Sequence, residues 1–171
     1  MSVLIREATL EDAADIRNIY APIVEETPIS FETEVPSVED IRSRIASLLE
    51  SHAYFVVEET GSVAAFAYGG SYRQREAYRH TTETSIYVSA DQQGKGIGLK
   101  LYTHLLERLK DMGFHTAVAA LYVPNPASVA IHKKADFQLV GRLEQVGLKF
   151  EEWHDVEWWQ KPLSRSENRA N

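Results

Sequence analysis

Three glycines at alternate positions, Gly94-Lys95-Gly96-Ile97-Gly98, stand between a run that reads as a strand, Thr81 to Val88, and a run that reads as a helix. In the helix Ile97, Leu101, Leu105, Leu109 and Met112 recur every three or four residues on one face, and Gly113 supplies the stop. This strand, loop and helix limit the possible folds more than any other stretch. Glycines lack the Cβ that would shield backbone N–H groups, the helix dipole adds partial positive charge at the same point, and Lys95 brings a full one. The stretch is chemically a pyrophosphate cradle; the plainer reading is a glycine turn. The Gly-x4-Gly-Lys-Ser/Thr spacing of a P-loop is absent. So are the chain-initial βαβ unit and the acidic strand end of a dinucleotide site.

The flanking elements follow from their apolar spacing. Val3 to Glu7 reads as a first strand, and Thr9-Leu-Glu-Asp12 as a capping-box-like helix start. Behind it Ala13, Ile16, Ile19, Tyr20, Ile23 and Val24 share a face, and Pro28 ends the region. Ser37-Val-Glu-Asp40 opens a second helix with Ile41, Ile45, Leu48 and Leu49 as its stripe. Tyr54–Glu59 and Ser62–Tyr68 form a hairpin through Thr60-Gly61. Segment 71–80 is a polar, arginine-rich loop. Thr116 to Leu121 is a continuous apolar strand, read as central. A helix runs from Pro126 to about Ala135. Strands at about 138–149 and 155–161 follow, with a turn near Glu151-Glu152-Trp153. The order β-α-α-β-β-β-α-β-α-β-β gives an α/β class, a central mixed sheet with helices on both faces. Residues 1–163 are expected to form a single domain, and 164–171 a charged, frayed tail.

Composition narrows the chemistry. The net charge of −7 argues against nucleic-acid binding, which needs a basic face. With no cysteine there is no disulfide, thiolate metal site or cysteine nucleophile. No His, Asp or Glu group has metal-ligand spacing, and no Gly-x-Ser-x-Gly elbow supports a serine hydrolase. The longest apolar run, Ala117 to Val123, is far short of a membrane span, and the start turns polar too soon for a signal peptide. A cytoplasmic protein with no membrane partner is expected.

The glycine loop resembles that of the GNAT-type N-acetyltransferases, whose motif Gln/Arg-x-x-Gly-x-Gly/Ala is filled by Gln93, Gly96 and Gly98. The resemblance implies the GNAT acyl-CoA N-acyltransferase fold and acetyl-CoA as co-substrate. By the same resemblance Ile86, Tyr87 and Val88 pair with the pantetheine arm, and Gly94, Lys95, Gly96, Ile97, Gly98 and Leu99 hold the pyrophosphate. Asn125-Pro-Ala-Ser128 matches the family's Asn-x-x-Ser, so Asn125 and Ser128 are placed on the cofactor arm. Asp136-Phe137 stands where the family has Gly-Phe, and aspartate tolerates the left-handed helix ending. Arg75 to Glu83, Ser85 to Val88, Tyr102 to Leu106, Ser128 to His132, Gly147 to Phe150 and Trp153 to Asp155 resemble the phosphinothricin and methionine sulfoximine acetyltransferase branch. That likeness runs from Ile5 to about Leu163, and Glu151 departs from it where relatives often have glycine.

Acetyl transfer to an amine needs a neutral nucleophile, a polarised thioester carbonyl and a proton for the departing thiolate. Glu83, on the strand before the loop, reads either as a solvent-facing glutamate or as the base, and the resemblance selects the base. His132 lies four residues past Ser128 on the same helical face, where many relatives carry tyrosine. It reads as structural or as an aid to proton transfer. Arg73, Arg75 and Arg79 form a cluster that is either a solvated loop face or an anion pocket for an amino-acid acceptor. The resemblance adds Phe31, Tyr78, Thr84, Ser85, Lys149 and Phe150 to that pocket, closed across a homodimer. The expected activity is direct acetylation of the α-amine of phosphinothricin, methionine sulfoximine or methionine sulfone. Acetylation of a peptide or protein amine, or non-catalytic acyl-CoA sensing, stays open on the residues alone.

Overall fold

The computed structural model describes residues 3–164. Its elements are β1 (Leu4–Glu7), α1 (Ala13–Glu26), α2 (Val38–Leu49), β2 (Tyr54–Glu59), β3 (Ser62–Ser71), β4 (Thr81–Val88), α3 (Ile97–Asp111), β5 (Thr116–Val123), α4 (Pro126–Lys134), β6 (Gln138–Lys149) and β7 (Glu152–Pro162). The seven strands form one sheet in the order β1-β2-β3-β4-β5-β7-β6. Every pairing is antiparallel except β4 with β5. Of the expected charged tail only Ser164 is described, its Oγ 2.7 Å from His115 Nδ1; residues 165–171 lie outside the described residues.

Helix ends carry the signals expected of them. Asp12 accepts from the Thr9 backbone N–H at 2.7 Å, and Ser37 and Asp40 cap α2 reciprocally at 3.1 and 2.8 Å. Gly113, at φ +93°, follows α3, and Asp136, at φ +64°, follows α4. Arg6 ties the start of the chain together, forking onto Asp12 with two 2.8 Å bonds and reaching Glu58 at 2.8 Å.

Each face of the sheet has its own core. Leu101, Leu105 and Leu109 of α3 are fully buried with Ala117 and Trp159 on one side. Ile16 of α1 and Ile45 of α2 pack on Val56 and Phe66 on the other. Each such leucine or isoleucine contributes about 1.5–3 kcal/mol relative to exposure. β5 is not buried on both faces, as its apolar run suggests. Ala117, Ala119, Leu121 and Val123 are buried while Ala120 is exposed, because one side of β5 opens onto the cleft described next.

Candidate active site

β4 and β5 run parallel and pair only from Thr81↔Thr116 to Glu83↔Val118. Beyond that point β4 continues to Val88 on β3, and β5 continues to Val123 on β7. The two strands therefore splay apart toward their carboxyl ends, leaving a notch with an unpaired backbone edge on each wall. Ser85, Ile86, Ala119, Tyr122, Asn125 and His132 are among its lining residues. A notch at the carboxyl ends of parallel strands is where α/β sheets take ligands.

The glycine loop closes one end of the notch. Gly94 and Gly96 have φ of +78° and +80°, a conformation that a side chain would strain, and a Cβ on either would meet no protein atom within 4 Å. The N–H face of the loop is thus open, and Gly96 is the N-cap of α3. Gly98 differs: it is buried, and a Cβ there would come 3.0 Å from Val88 and 3.3 Å from Ile131. It lets α3 approach β4 and α4. Lys95 Nζ donates to Gln92 Oε1 at 2.9 Å, and Gln93 lies over the Val88 carbonyl at 3.4 Å. Across the notch the Asn125 side chain caps α4 by accepting from Ser128 N–H at 3.2 Å.

Strand alternation sorts β4 into two faces. Thr82 and Thr84 are buried toward α3, Thr84 Oγ1 lying 2.7 Å from the Tyr102 hydroxyl. Glu83, Ser85 and Tyr87 point to the α1 and α2 side. Glu83 is half-buried and has no hydrogen-bonding or ion-pair partner among the described residues. Burial raises its carboxyl above the usual glutamate range, and the Arg73 guanidinium pulls it partly back. A half-buried carboxylate with a raised pKa and open lone pairs has the properties of a general base.

His132 is buried, with Nδ1 2.8 Å from the Ser128 carbonyl and Nε2 3.0 Å from the Tyr102 hydroxyl. A carbonyl only accepts, so Nδ1 carries the proton. Burial lowers the imidazole pKa, which leaves Nε2 to accept from Tyr102 and Tyr102 to accept from Thr84.

Of the three loop arginines, all exposed, only Arg73 acts on Glu83. Its guanidinium lies 5.1 Å over the Tyr72 ring, against which Tyr78 packs edge-on at 5.5 Å. Arg79 turns to Glu76 at 3.6 Å, and Arg75 forms no ion pair among the described residues. Lys149 is buried, and its three ammonium protons go to the carbonyls of Val24, Thr27 and Ser30 at 2.7, 2.9 and 2.6 Å. It therefore shapes the loop after α1, which carries Phe31, and has no proton left for a ligand. Phe150 is exposed at the β6–β7 turn.

A family model for an acetyltransferase (GNAT) domain matches residues 5–158. The chain belongs to the GNAT acetyltransferase family. It is 36% identical over 159 residues to a phosphinothricin N-acetyltransferase of Streptomyces viridochromogenes, covering 93% of this chain and 87% of the relative. It is 36% identical over 165 residues to an L-methionine sulfoximine/L-methionine sulfone acetyltransferase of Pseudomonas paraeruginosa, covering 95% and 96%. Among solved structures, yncA of Salmonella typhimurium, a putative acetyltransferase with its cofactor acetyl-CoA, superposes with a TM-score of 0.94 at 30% identity, covering 99% of each chain.

For this GNAT chain the sequence motif marked the loop and the resemblance marked Glu83, but neither gave the contacts of Gly147 with Phe31 or of Tyr102 on the α3 face. Gly147 leaves room for Phe31: a Cβ there would overlap the ring. Tyr102 stands behind the notch as the link between Thr84 and His132. Gly147 and Tyr102 each open a segment that carries the family resemblance, but no local signal there announces the contact with Phe31 or the link to His132.

Proposed function

We propose that the chain transfers the acetyl group of acetyl-CoA to the α-amine of a small amino-acid analogue of the phosphinothricin, methionine sulfoximine or methionine sulfone type. The observation that carries this reading is the splayed β4–β5 notch, which joins an open glycine cradle at one end to an unpaired, half-buried Glu83 on the opposite face. The names of the relatives support the acceptor class. Gln93 to Leu99 hold the pyrophosphate, and the free edges of Ile86, Tyr87 and Val88 take the pantetheine arm with Asn125 and Ser128 opposite. Glu83, directly or through water, accepts a proton from the acceptor's ammonium. The neutral amine then attacks the thioester carbon, the C–N bond forms and the C–S bond breaks, and the thiolate leaves. The proton that the nitrogen sheds on becoming an amide passes to the departing thiolate in the notch lined by His132, whose neutral ring, bonded to Ser128 and Tyr102, has no proton of its own to give. Arg73 and Arg75 attract the acceptor's anion, and Phe31, Tyr78 and Ser85 border it. Arg79 belongs to the outer loop, and Lys149 with Phe150 to the hairpin that sets Phe31.

We further infer a homodimer paired along β6, an edge strand, where Val140 and Leu148 are 62% and 56% exposed, with Trp153 of β7 59% exposed opposite Leu148. A cytoplasmic location, where acetyl-CoA is at hand, is part of this reading. No helix among the described residues is long and apolar enough to cross a membrane.

The test is release of free thiol from acetyl-CoA with phosphinothricin, methionine sulfoximine, methionine sulfone, glutamate and a lysine peptide. Glu83→Gln lowers turnover on the best small acceptor by roughly 10²–10⁴-fold and keeps cofactor binding. A lysine peptide as best substrate transfers the reading to protein acetylation. Unchanged turnover in Glu83→Gln removes the base.

A further inference from the structure

Between α2 and the sheet lies a chamber of about 390 Å³, within the roughly 300–1,000 Å³ of small-ligand sites. It is separate from the glycine cradle. Its walls are aromatic and already packed on one another: Tyr54 stacks on Tyr68 at 5.0 Å, and Phe66 lies 5.1 Å from Tyr87. Tyr87 borders both this chamber and the notch. Tyr68 is the cross-strand partner of Ser85, two pairs along from Gly70↔Glu83 and so in the same facing direction. The chamber therefore opens on the face of β4 that carries Glu83.

The Tyr54 hydroxyl has no hydrogen-bonding partner among the described residues, while Ser85 acts on the Tyr68 hydroxyl and Tyr20 on that of Tyr87. Tyr54 is only 3% exposed. Yet no sealed side-chain oxygen or nitrogen among the described residues lacks a partner. The Tyr54 hydroxyl must therefore face the chamber. Burial raises the pKa of all three phenols, so each keeps its proton and is a donor. Arg44 stands on the same wall and is held by both oxygens of Glu32. Donors converging in an aromatic pocket match a ligand group that is bulky, weakly hydrated and rich in acceptor oxygens.

Resting on the acceptor class proposed above, we propose that this chamber is a side-chain subsite: it takes an amino acid whose side chain ends in an oxo group, and Tyr54 and Tyr68 donate to that group. The α-amine then sits beside Glu83 while the side chain runs across Ser85 into the chamber.

Methionine sulfone and methionine differ by the two sulfone oxygens, which makes their kcat/KM ratio the readout. Tyr54→Phe and Tyr68→Phe keep the ring and remove one donor each. Each lowers the sulfone-to-methionine ratio by about two- to tenfold, the worth of one net hydrogen bond, mainly through the sulfone. Ser47→Trp fills the chamber from exposed helix surface; it lowers turnover of both and spares alanine. The acetyl-CoA-induced rise in melting temperature, retained in each variant, excludes misfolding. A ratio unmoved in both phenylalanine variants, or full sulfone activity in Ser47→Trp, overturns the subsite and leaves the acetyltransferase standing. A wild type that acetylates no amino acid overturns the acceptor class and the subsite together.

Discussion

At the scale of single residues the proposed chemistry rests on the charge state of Glu83. A general base works only when deprotonated, so the acid limb of kcat/KM reports its pKa. Burial moves that limb above the usual glutamate range, and Arg73 opposes the shift. Arg73→Ala removes the opposing cation, so the limb moves to higher pH and activity falls first on the acidic side. Arg73 is exposed, so salt screens it, and the wild-type and variant profiles draw together as ionic strength rises. Profiles of kcat/KM against pH at low and high salt check this; a limb that stays put, or moves down, separates Arg73 from Glu83. Glu83 was singled out by the family resemblance of its segment, since the residues alone left it either a solvent-facing glutamate or a base. Tyr54, Tyr68 and Arg44 were not, because β2, β3 and α2 bring them together from distant parts of the chain. Lys149 looked like a ligand-binding cation, since nothing in its neighbourhood announces three carbonyls from residues 24–30.

At the scale of elements, the β6–β7 hairpin couples turn geometry to the acceptor side. Lys149↔Glu152 closes a two-residue turn in which Phe150 and Glu151 have φ of +54° and +62°. Both positive φ values mark the primed turn that suits twisted strands, and both favour glycine or asparagine. A side chain in this region costs roughly 1–2 kcal/mol, partly offset in a glycine variant by the freer unfolded chain. Glu151→Gly is therefore expected to stabilise the fold by about 1 kcal/mol, or a rise of roughly 2–4 °C in Tm for a chain of this size. Thermal melts of the two proteins decide it, and a lower Tm in the variant would show that the Glu151 side chain makes up for its own strain. The helix caps, the Thr60-Gly61 hairpin and the Gly113 stop were legible because each is a local signal. The role of Gly98 was less so. The motif marks it beside the phosphate loop, whereas its missing Cβ serves the packing of α3 on Val88 and Ile131.

At the scale of the whole molecule, the order of elements could be read from periodicity, but the order of strands could not. Apolar spacing says which side of a strand is buried and nothing about which neighbour it pairs with. β7 inserts between β5 and β6, so the last strand but one becomes the edge. That insertion puts Leu139, Val140, Leu143, Val146 and Leu148 on an edge strand and leaves them exposed. An edge of this length and apolarity invites pairing with another chain. The Arg142–Asp155 ion pair and the two-residue turn hold β6 on β7 across the register shifts after Leu139 and Leu143. Pairing by a second copy is expected to give sedimentation at roughly twice 19.3 kDa, and Val140→Lys with Leu148→Lys, which places two cations in that surface, is expected to return the chain to 19.3 kDa. Phe150 and Trp153 are exposed beside the acceptor loop. If a partner's acceptor pocket uses them, the monomeric variant raises KM for the amino acid and keeps the acetyl-CoA melting shift. Sedimentation velocity and steady-state kinetics on the same samples separate the outcomes. A wild type at 19.3 kDa removes the dimer; a monomeric variant with unchanged acceptor KM keeps the dimer and confines the acceptor site to one chain.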